Sequence, residues 1–332
     1  MKIGYLGAGT WGTALASILA NNGHTVIVWD RNPNTIKRLN ETRKHPKLQN
    51  YTISEKIVYT DNLLDAVKDV DLIVESVTSL GIRNVFTQIK NLIKLNVPIV
   101  ITSKGLEQNT HLLFPEVLQE IFGIENSKYI GCLSGPSHAE EVIKNLPTSV
   151  VSSSYSVETM NLISDVFTNP SFRVYPNPDI LGVSFGGAMK NIIAIACGIS
   201  DGLGFGDNSK AALMTRGLHE MKKLCPTKGG RAETLNGLSG MGDLCVTCLS
   251  KFSRNNRFGQ LIAKGLNLKQ AKEEIGMVVE GVYSCVAALE LARKYNIATP
   301  ITEAVHAVLY DNLNPKNVVK LLMQREIKTE FK

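Results

Sequence analysis

The chain is poor in the residues that staple or metallate small folds. Its 332 residues hold six cysteines, too thinly spread for a disulfide framework, and the one close pair, Cys245-Val-Thr-Cys248, has no second pair to complete a zinc site. They read as structural thiols. The six histidines lie far apart, so metal-ligand spacing does not arise and no metal is expected. Aromatics make up only 6% of the chain and do not interleave with runs of Lys or Arg. A nucleic-acid partner is therefore not expected, and the formal charge of +6 favours an anionic small ligand. There is no low-complexity tract; only the charged tail 325–332 reads as disordered. A strand pattern begins at Lys2 with no signal-peptide pattern before it, so a cytoplasmic location is expected.

Long apolar runs are equally scarce. The exception, Ile180 to Ser200, has the length of a membrane span, yet it carries Lys190-Asn191 near its middle, contains several glycines and stands alone. A buried core helix is the better reading, without membrane insertion. Lys190 is the only charge between Asp179 and Asp201. An ammonium in a close-packed helix of Gly, Ala and Ile must be paired, shifted in pKa or turned toward a ligand cavity. Lysine that titrates near neutral pH can give or take a proton. The structural alternative is a stem that snorkels to the surface.

The N-terminal end carries a nucleotide signature in context. Lys2-Ile-Gly-Tyr-Leu reads as a buried strand, Gly7-Ala-Gly-Thr-Trp-Gly12 follows, and Thr13 to Ala20 continues as an apolar helix. In such a fingerprint Gly7 permits the tight turn, Gly9 lets a pyrophosphate approach, and Gly12 lets the helix sit against the strand. The second strand, Thr25-Val-Ile-Val-Trp, ends at Asp30, where a carboxylate can accept from ribose hydroxyls. Asp30 favours NAD, whereas Arg31 could pair with the 2′-phosphate of NADP, so either nucleotide remains open.

Further strand-like runs at Lys56–Tyr59, Asp71–Val77, Val97–Thr102 and Tyr129–Leu133 alternate with helical patterns, including Leu80–Leu95 and Thr110–Phe122. This alternation predicts a doubly wound parallel sheet of Rossmann type. Residues just beyond the strands become site candidates: Lys104, and the segment Gly135-Pro-Ser-His-Ala-Glu-Glu, in which Pro136 suits a helix start. After Val150–Ser153 and Phe172–Tyr175 the strand signal stops and helices dominate, which divides the chain into a dinucleotide-binding domain, 1–179, and an all-helical domain, 180–332. Helix caps are expected at Asn267, Thr302 and Asn314. Leu235 to Leu244 reads as a glycine-rich loop able to pass close to a ligand, just ahead of Asp243. Ser253-Arg-Asn-Asn-Arg opens the expected helix Arg254–Lys264, where it can hold a phosphate or merely cap the helix through Ser253.

Taken in order, these motifs resemble bacterial NAD(P)-dependent glycerol-3-phosphate dehydrogenase nearly end to end. The resemblance rests on Gly7-Ala-Gly-Thr-Trp-Gly-Thr-Ala-Leu-Ala, Ser103-Lys-Gly-Leu-Glu, Ser134-Gly-Pro-Ser-His-Ala-Glu-Glu, Met189-Lys-Asn-Ile-Ile-Ala-Ile-Ala, Gly198-Ile-Ser-Asp-Gly-Leu-Gly, Thr215-Arg-Gly-Leu, Gly240-Met-Gly-Asp-Leu and Ser253-Arg-Asn. It implies reversible reduction of dihydroxyacetone phosphate to sn-glycerol 3-phosphate, a phospholipid precursor. It also implies that Lys190 is the general acid/base. Lys104, Gly135, Ser137, Asp243, Ser253, Arg254 and Asn255 would surround the substrate. Gly7, Gly9, Thr10, Trp11, Gly12, Asp30, Arg31, Lys104, Ala139, Arg254, Val278 and Glu280 would border the cofactor. The chain departs from the family pattern at His138, where Phe is frequent, at Leu249, where Thr is common, and at Lys251-Phe252, where Val-His often stands.

Two other readings compete. A dehydrogenase acting on a hydroxy or keto acid is disfavoured by the Gly240-Met-Gly-Asp and Ser253-Arg-Asn segments, and a nucleotide-sensing regulator would leave Lys190 incidental. A homodimer is expected on general grounds.

Overall fold

The apolar runs form eight strands: β1 (Lys2–Leu6), β2 (Thr25–Trp29), β3 (Ile57–Thr60), β4 (Leu72–Glu75), β5 (Ile99–Ile101), β6 (Ile130–Ser134), β7 (Thr148–Ser154) and β8 (Phe172–Pro176). They come from a computed structural model that describes residues 1–48, 51–327 and 329–330. Part of the charged tail, Lys328, Phe331 and Lys332, lies outside the described residues.

The strands make one sheet in the order β3-β2-β1-β4-β5-β6-β7-β8. From β3 to β6 every pairing is parallel, with Gly4 of β1 facing Ile27 of β2 on one side and Ile73 of β4 on the other. Strands covered by helices on both faces need apolar residues at consecutive positions, as in β1, where Ile3, Tyr5 and Leu6 are fully buried. The direction of the winding reverses between β1 and β4, which opens a crevice at their carboxyl ends.

Two strands, β7 and β8, run against the expected parallel order. β7 pairs antiparallel with β6, and β8 then pairs parallel with β7. The physical reason is the connection from β6 to β7, which holds only the four-residue helix Ala139–Val142 and does not make the full crossover that a parallel pair needs. Helix limits also differ from the pattern-based ones. The second begins at Phe114, where Pro115 occupies the first turn and Glu116 accepts from the Leu113 N–H at 2.7 Å. The first covers Ile82–Leu92, behind a 3-10 turn at Ser79–Gly81.

Beyond β8 the chain is helical. Asp179 caps the helix Ile180–Gly202, accepting from the Gly182 N–H at 2.9 Å. The helix is a core element, with 89% of its most apolar window inside the fold. Its small residues let neighbours approach closely: a Cβ on Gly198 would lie 2.0 Å from the Asn256 carbonyl oxygen on the helix Arg254–Ala263. Around it packs a core that includes Phe185, Met221, Leu244, Phe258 and Val282. Leu106 and Leu113, from the loop after β5, join this core, while Ile180 and Val183 join the core of the sheet.

The caps at Asn267 and Asn314 form, each accepting from the first turn it precedes. Thr302 is not a cap. The helix Pro300–Tyr310 has Thr299 at that position, and the buried Glu220 carboxylate serves in place of a local side chain. It accepts from the N–H groups of Ile301 (2.6 Å) and Thr302 (3.1 Å) and from the Thr302 hydroxyl (3.0 Å).

Candidate active site

Four segments far apart in sequence meet at the carboxyl edge of the sheet. Lys104 follows β5 and Gly135 follows β6; because β5 and β6 are neighbours, the Lys104 Nζ reaches the Gly135 carbonyl at 2.8 Å. It also donates to Asp243 Oδ2 at 2.7 Å. The other carboxylate oxygen, Oδ1, accepts from Lys190 Nζ. Both Lys190 and Asp243 are buried, at 6% and 1% exposure. Lys190 Nζ donates a second bond to Thr247 Oγ1 at 2.7 Å, and that hydroxyl donates to the Asp243 carbonyl at 2.6 Å.

Local sequence explains the convergence. Asp243 opens the helix Asp243–Leu249, and Thr247 lies one turn later on the same face. The preceding glycines bring this helix against the long one. Residues Leu238–Gly242 form a wide turn, and a Cβ on Gly186 would lie 2.6 Å from the Ser239 carbonyl oxygen. Gly186 is one turn before Lys190, so that close approach sets Asp243 beside the ammonium. The glycine-rich segment expected to pass a ligand thus passes the helix backbone at Gly186.

Burial lowers the pKa of Lys190 to about 8; Asp243 opposes the shift and the charge on Lys104 adds to it. For Asp243, burial alone would raise the pKa, but Lys104 and Lys190 outweigh it and hold the carboxyl below its ordinary value. Two ammonium groups share one carboxylate, leaving the cluster with an excess of positive charge.

The other substrate candidates divide into those whose side chains are engaged and those left free. Gly135 takes a φ of 144°, and Ser137 Oγ donates back to its carbonyl at 2.9 Å. Pro136 does not start a helix; the one-turn helix begins at Ala139, with His138 as its cap residue. Ser253 caps the helix Arg254–Ala263, its Oγ accepting from the Asn256 N–H at 3.2 Å. The Asn255 carboxamide is engaged on both sides, donating to Asn191 Oδ1 at 2.9 Å and accepting from the Gly281 N–H at 3.0 Å. Among the described residues, the N–H groups of Arg254 and Asn255 at the helix start have no acceptor. The Arg254 guanidinium donates to the Val278 carbonyl at 3.1 Å.

The nucleotide candidates line the crevice between β1 and β4. Gly7 has a φ of 105°, and a Cβ there would strike the Ser76 carbonyl oxygen at 2.6 Å. A Cβ on Gly12 would lie 2.1 Å from the Gly7 oxygen, whereas a Cβ on Gly9 would meet nothing within 4 Å. The backbone at Gly9 is therefore open, and the helix Thr10–Asn21 that begins there has neither a side-chain cap nor an acidic first turn. Thr10 and Trp11 sit half-buried on that first turn. Asp30 accepts from the N–H groups of Ala8 (3.0 Å) and Asn32 (2.9 Å), tying the glycine loop to the end of β2; Arg31 is exposed. An open backbone, free helix-start donors and a carboxylate at the second strand fit a dinucleotide.

Glu280, at the start of the helix Glu280–Lys294, meets the segments that follow β4 and β5 from the helical side. Its Oε1 accepts from Ser79 Oγ at 2.7 Å, and a Cβ on Gly105 would lie 2.9 Å from its Oε2. Burial raises its pKa against the opposing effects of Ser79 and Arg254. Ala139 is buried at the head of its short helix. Thr247, Asn191 and Ser79 were not singled out by chemistry in the sequence. For Thr247 the available signal was its four-residue spacing from Asp243; for Asn191, its place beside Lys190.

Comparison with known proteins identifies the pattern. Residues 2–160 match the description "NAD-dependent glycerol-3-phosphate dehydrogenase N-terminus", and residues 179–320 match the corresponding C-terminus. Over 329 residues the chain is 56% identical to the NAD(P)+ glycerol-3-phosphate dehydrogenase of Protochlamydia amoebophila, covering 99% of each chain. The Chlamydia pneumoniae protein of the same name is 53% identical, over 99% of this chain and 98% of that one. Among solved structures, glycerol-3-phosphate dehydrogenase from Coxiella burnetii superposes with a TM-score of 0.91 at 38% identity, over 98% of this chain and 99% of the other.

Proposed function

The chain belongs to the NAD-dependent glycerol-3-phosphate dehydrogenase family, and from that premise we propose that Lys190 is the general acid/base of the reaction and that Arg254 grips the substrate phosphate. The protein is an NAD(P)-dependent oxidoreductase acting on a CH–OH group. Its substrate pair is dihydroxyacetone phosphate and sn-glycerol 3-phosphate. The observation that carries the assignment is the buried cluster in which Lys104 and Lys190 share Asp243.

When bound, the nicotinamide supplies the hydride for reduction and accepts it in the reverse direction. Lys190 then deals with the oxygen. As the ketone becomes an alkoxide, its charge grows beside an ammonium already oriented by Asp243 and Thr247, which stabilises it and passes it a proton from Nζ. In the oxidising direction the neutral Nζ takes the proton back, and a pKa of about 8 suits either role. Lys104 adds positive field, and Asp243 orients both lysines. At the other end, the Arg254 guanidinium and the free N–H groups of Arg254 and Asn255 form an anion seat, with the Ser253 cap and the Asn255 carboxamide fixing that helix start. Gly135 and Ser137 complete the substrate loop.

Gly7, Gly9, Thr10, Trp11 and Gly12 would hold the pyrophosphate end of the cofactor. Asp30 retains carboxylate lone pairs for ribose hydroxyls, while the exposed Arg31 can meet a 2′-phosphate, a combination that accommodates NAD and NADP. Lys104, Ala139, Arg254, Val278 and Glu280 would border the cofactor. We place the activity in the cytoplasm, where it supplies phospholipid synthesis, on a sheet domain 1–179 and a helical domain 180–332 assembled as a homodimer.

The decisive experiment measures loss of reduced-nicotinamide absorbance with dihydroxyacetone phosphate and either NADH or NADPH. Lys190→Ala should lose most of the turnover while still binding nucleotide. Near-parental turnover would remove Lys190 from the mechanism.

A further inference from the structure

His138 and Phe252 stand where two remote segments meet beside the site. The His138 ring packs edge-on against Phe252, with centroids 5.7 Å apart and planes at 61°. His138 ends the loop Gly135–His138, whose Gly135 carbonyl holds Lys104. Phe252 sits in a tight turn, its N–H donating to Ser250 Oγ at 3.1 Å, and is followed by Ser253, the cap of the helix that presents Arg254. The pair therefore joins the loop beyond β6 to the proposed phosphate seat.

The ring makes this contact without using its buried nitrogen. His138 Nε2 is enclosed and has no hydrogen-bond partner among the described residues. Burial first, and then Lys190, lower the His138 pKa, with Lys104 acting in the same direction; the nearby Val246 backbone carbonyl and Glu140 act against them. The imidazole is thus shifted toward its neutral form, and it meets Phe252 as an aromatic ring. Edge-to-face aromatic pairs contribute through ring geometry, which phenylalanine can reproduce and alanine cannot.

We propose that His138 is a positioning residue for substrate phosphate, acting through Phe252 to hold the Ser253–Arg254 helix start in register with the loop that carries Lys104. The proposal rests on the reading of Arg254 as the phosphate grip. Its signature is a change in KM for dihydroxyacetone phosphate with kcat largely preserved, because the clasp sets the placement of the remote anion and leaves Lys190, Asp243 and Thr247 in contact.

The test is steady-state kinetics on the full-length enzyme carrying His138→Ala, Phe252→Ala, both together, and His138→Phe. Each alanine variant should raise KM for dihydroxyacetone phosphate about threefold to tenfold. The double variant should be no worse than either single one, since the same contact is lost once. His138→Phe should restore the parental KM, and it guards against a mere folding defect because it also removes an orphaned polar atom. The proposal is overturned if KM stays within about twofold of the parent in both alanine variants, or if their effects multiply. It is equally overturned if His138→Phe is as impaired as His138→Ala, which would assign the role to the ring nitrogen. Arg254→Ala separates the two levels. If it leaves KM unchanged, the phosphate reading itself falls; if it raises KM while His138→Ala does not, only the clasp falls.

Discussion

Replacing Asp243 with asparagine would remove the one negative charge shared by Lys104 and Lys190 while nearly preserving shape. Two unit charges about 4 Å apart interact by about 4 kcal/mol at an effective dielectric constant near 20, equivalent to about 3 pKa units. The asparagine carbonyl can still accept from one ammonium, so a net fall of about 2 units for Lys190 is the working figure. From its value of about 8, Lys190 would drop to about 6. The protonated fraction at pH 7 then falls from about nine-tenths to about one-tenth. Reduction of dihydroxyacetone phosphate needs the protonated form, so kcat in that direction should fall about tenfold at pH 7 and recover toward pH 5. The assay is the pH profile of kcat from nicotinamide absorbance at saturating substrate, for parent and Asp243→Asn. In the parent the rate declines as pH rises through about 8, and in the variant through about 6. A decline that stays within about half a unit of the parent would refute the claim that Asp243 sets the protonation of Lys190.

Two further predictions concern the scaffold. A Cβ at Gly12 meets the Gly7 carbonyl oxygen at 2.1 Å, whereas one at Gly9 meets nothing within 4 Å. Gly12→Ala should therefore destabilise the protein by about 1–3 kcal/mol in denaturant titration, while Gly9→Ala leaves stability nearly unchanged and weakens nucleotide binding measured by calorimetry. Glu220 is the second case, because burial raises its pKa to about 7 despite the bonds from Ile301 and Thr302. A carboxyl whose pKa is higher in the folded state binds more protons there, so its contribution to stability is lost as pH rises from about 4.5 toward 7. Glu220→Gln should flatten the fall in melting temperature across that window. An equally steep fall would exclude Glu220 as a source, leaving groups such as Glu75, which burial also raises to about 7.

The strands through β6 and their parallel class could be read from the sequence because each is a short apolar run bounded by turn residues, and parallel sheets buried on both faces demand such runs. The direction of β7 could not. Nothing in Thr148–Ser154 encodes it; the short helix Ala139–Val142 in the preceding connection does. Lys190 announced itself as a lone charge in an apolar helix, a local anomaly of composition. Its partners were less visible. Asp243 was noticed as the end of a glycine segment, but its pairing with Lys104 and Lys190 depends on how Gly186 and Ser239 bring two helices together. Thr247 gave no chemical signal because a threonine on a buried helix face is ordinary until its neighbour is known to be an ammonium. Ser253 and Asn255 show the opposite difficulty. Both look like ligand-binding polar residues in sequence, yet their side chains fix the helix start.

The ratio of two lysines to one carboxylate agrees with the proposed role of Lys190 as general acid/base. With Lys190 and Asp243 alone, the buried pair would be close to neutral and would offer little net pull on an alkoxide forming beside it. With the two lysines alone, burial and mutual repulsion would drive Lys190 to give up its proton before the substrate arrived. Lys104 is the more exposed of the two, with a side chain 19% accessible against 7% for Lys190. Its charge prevents Asp243 from fully neutralising the cluster. The deeper lysine is left with an intermediate proton affinity, near the range needed to give a proton in one direction and take it in the other. A buried carboxylate between them is what allows two like charges to share so small a volume, and in the proposed mechanism the anionic substrate supplies the negative charge that the three residues lack.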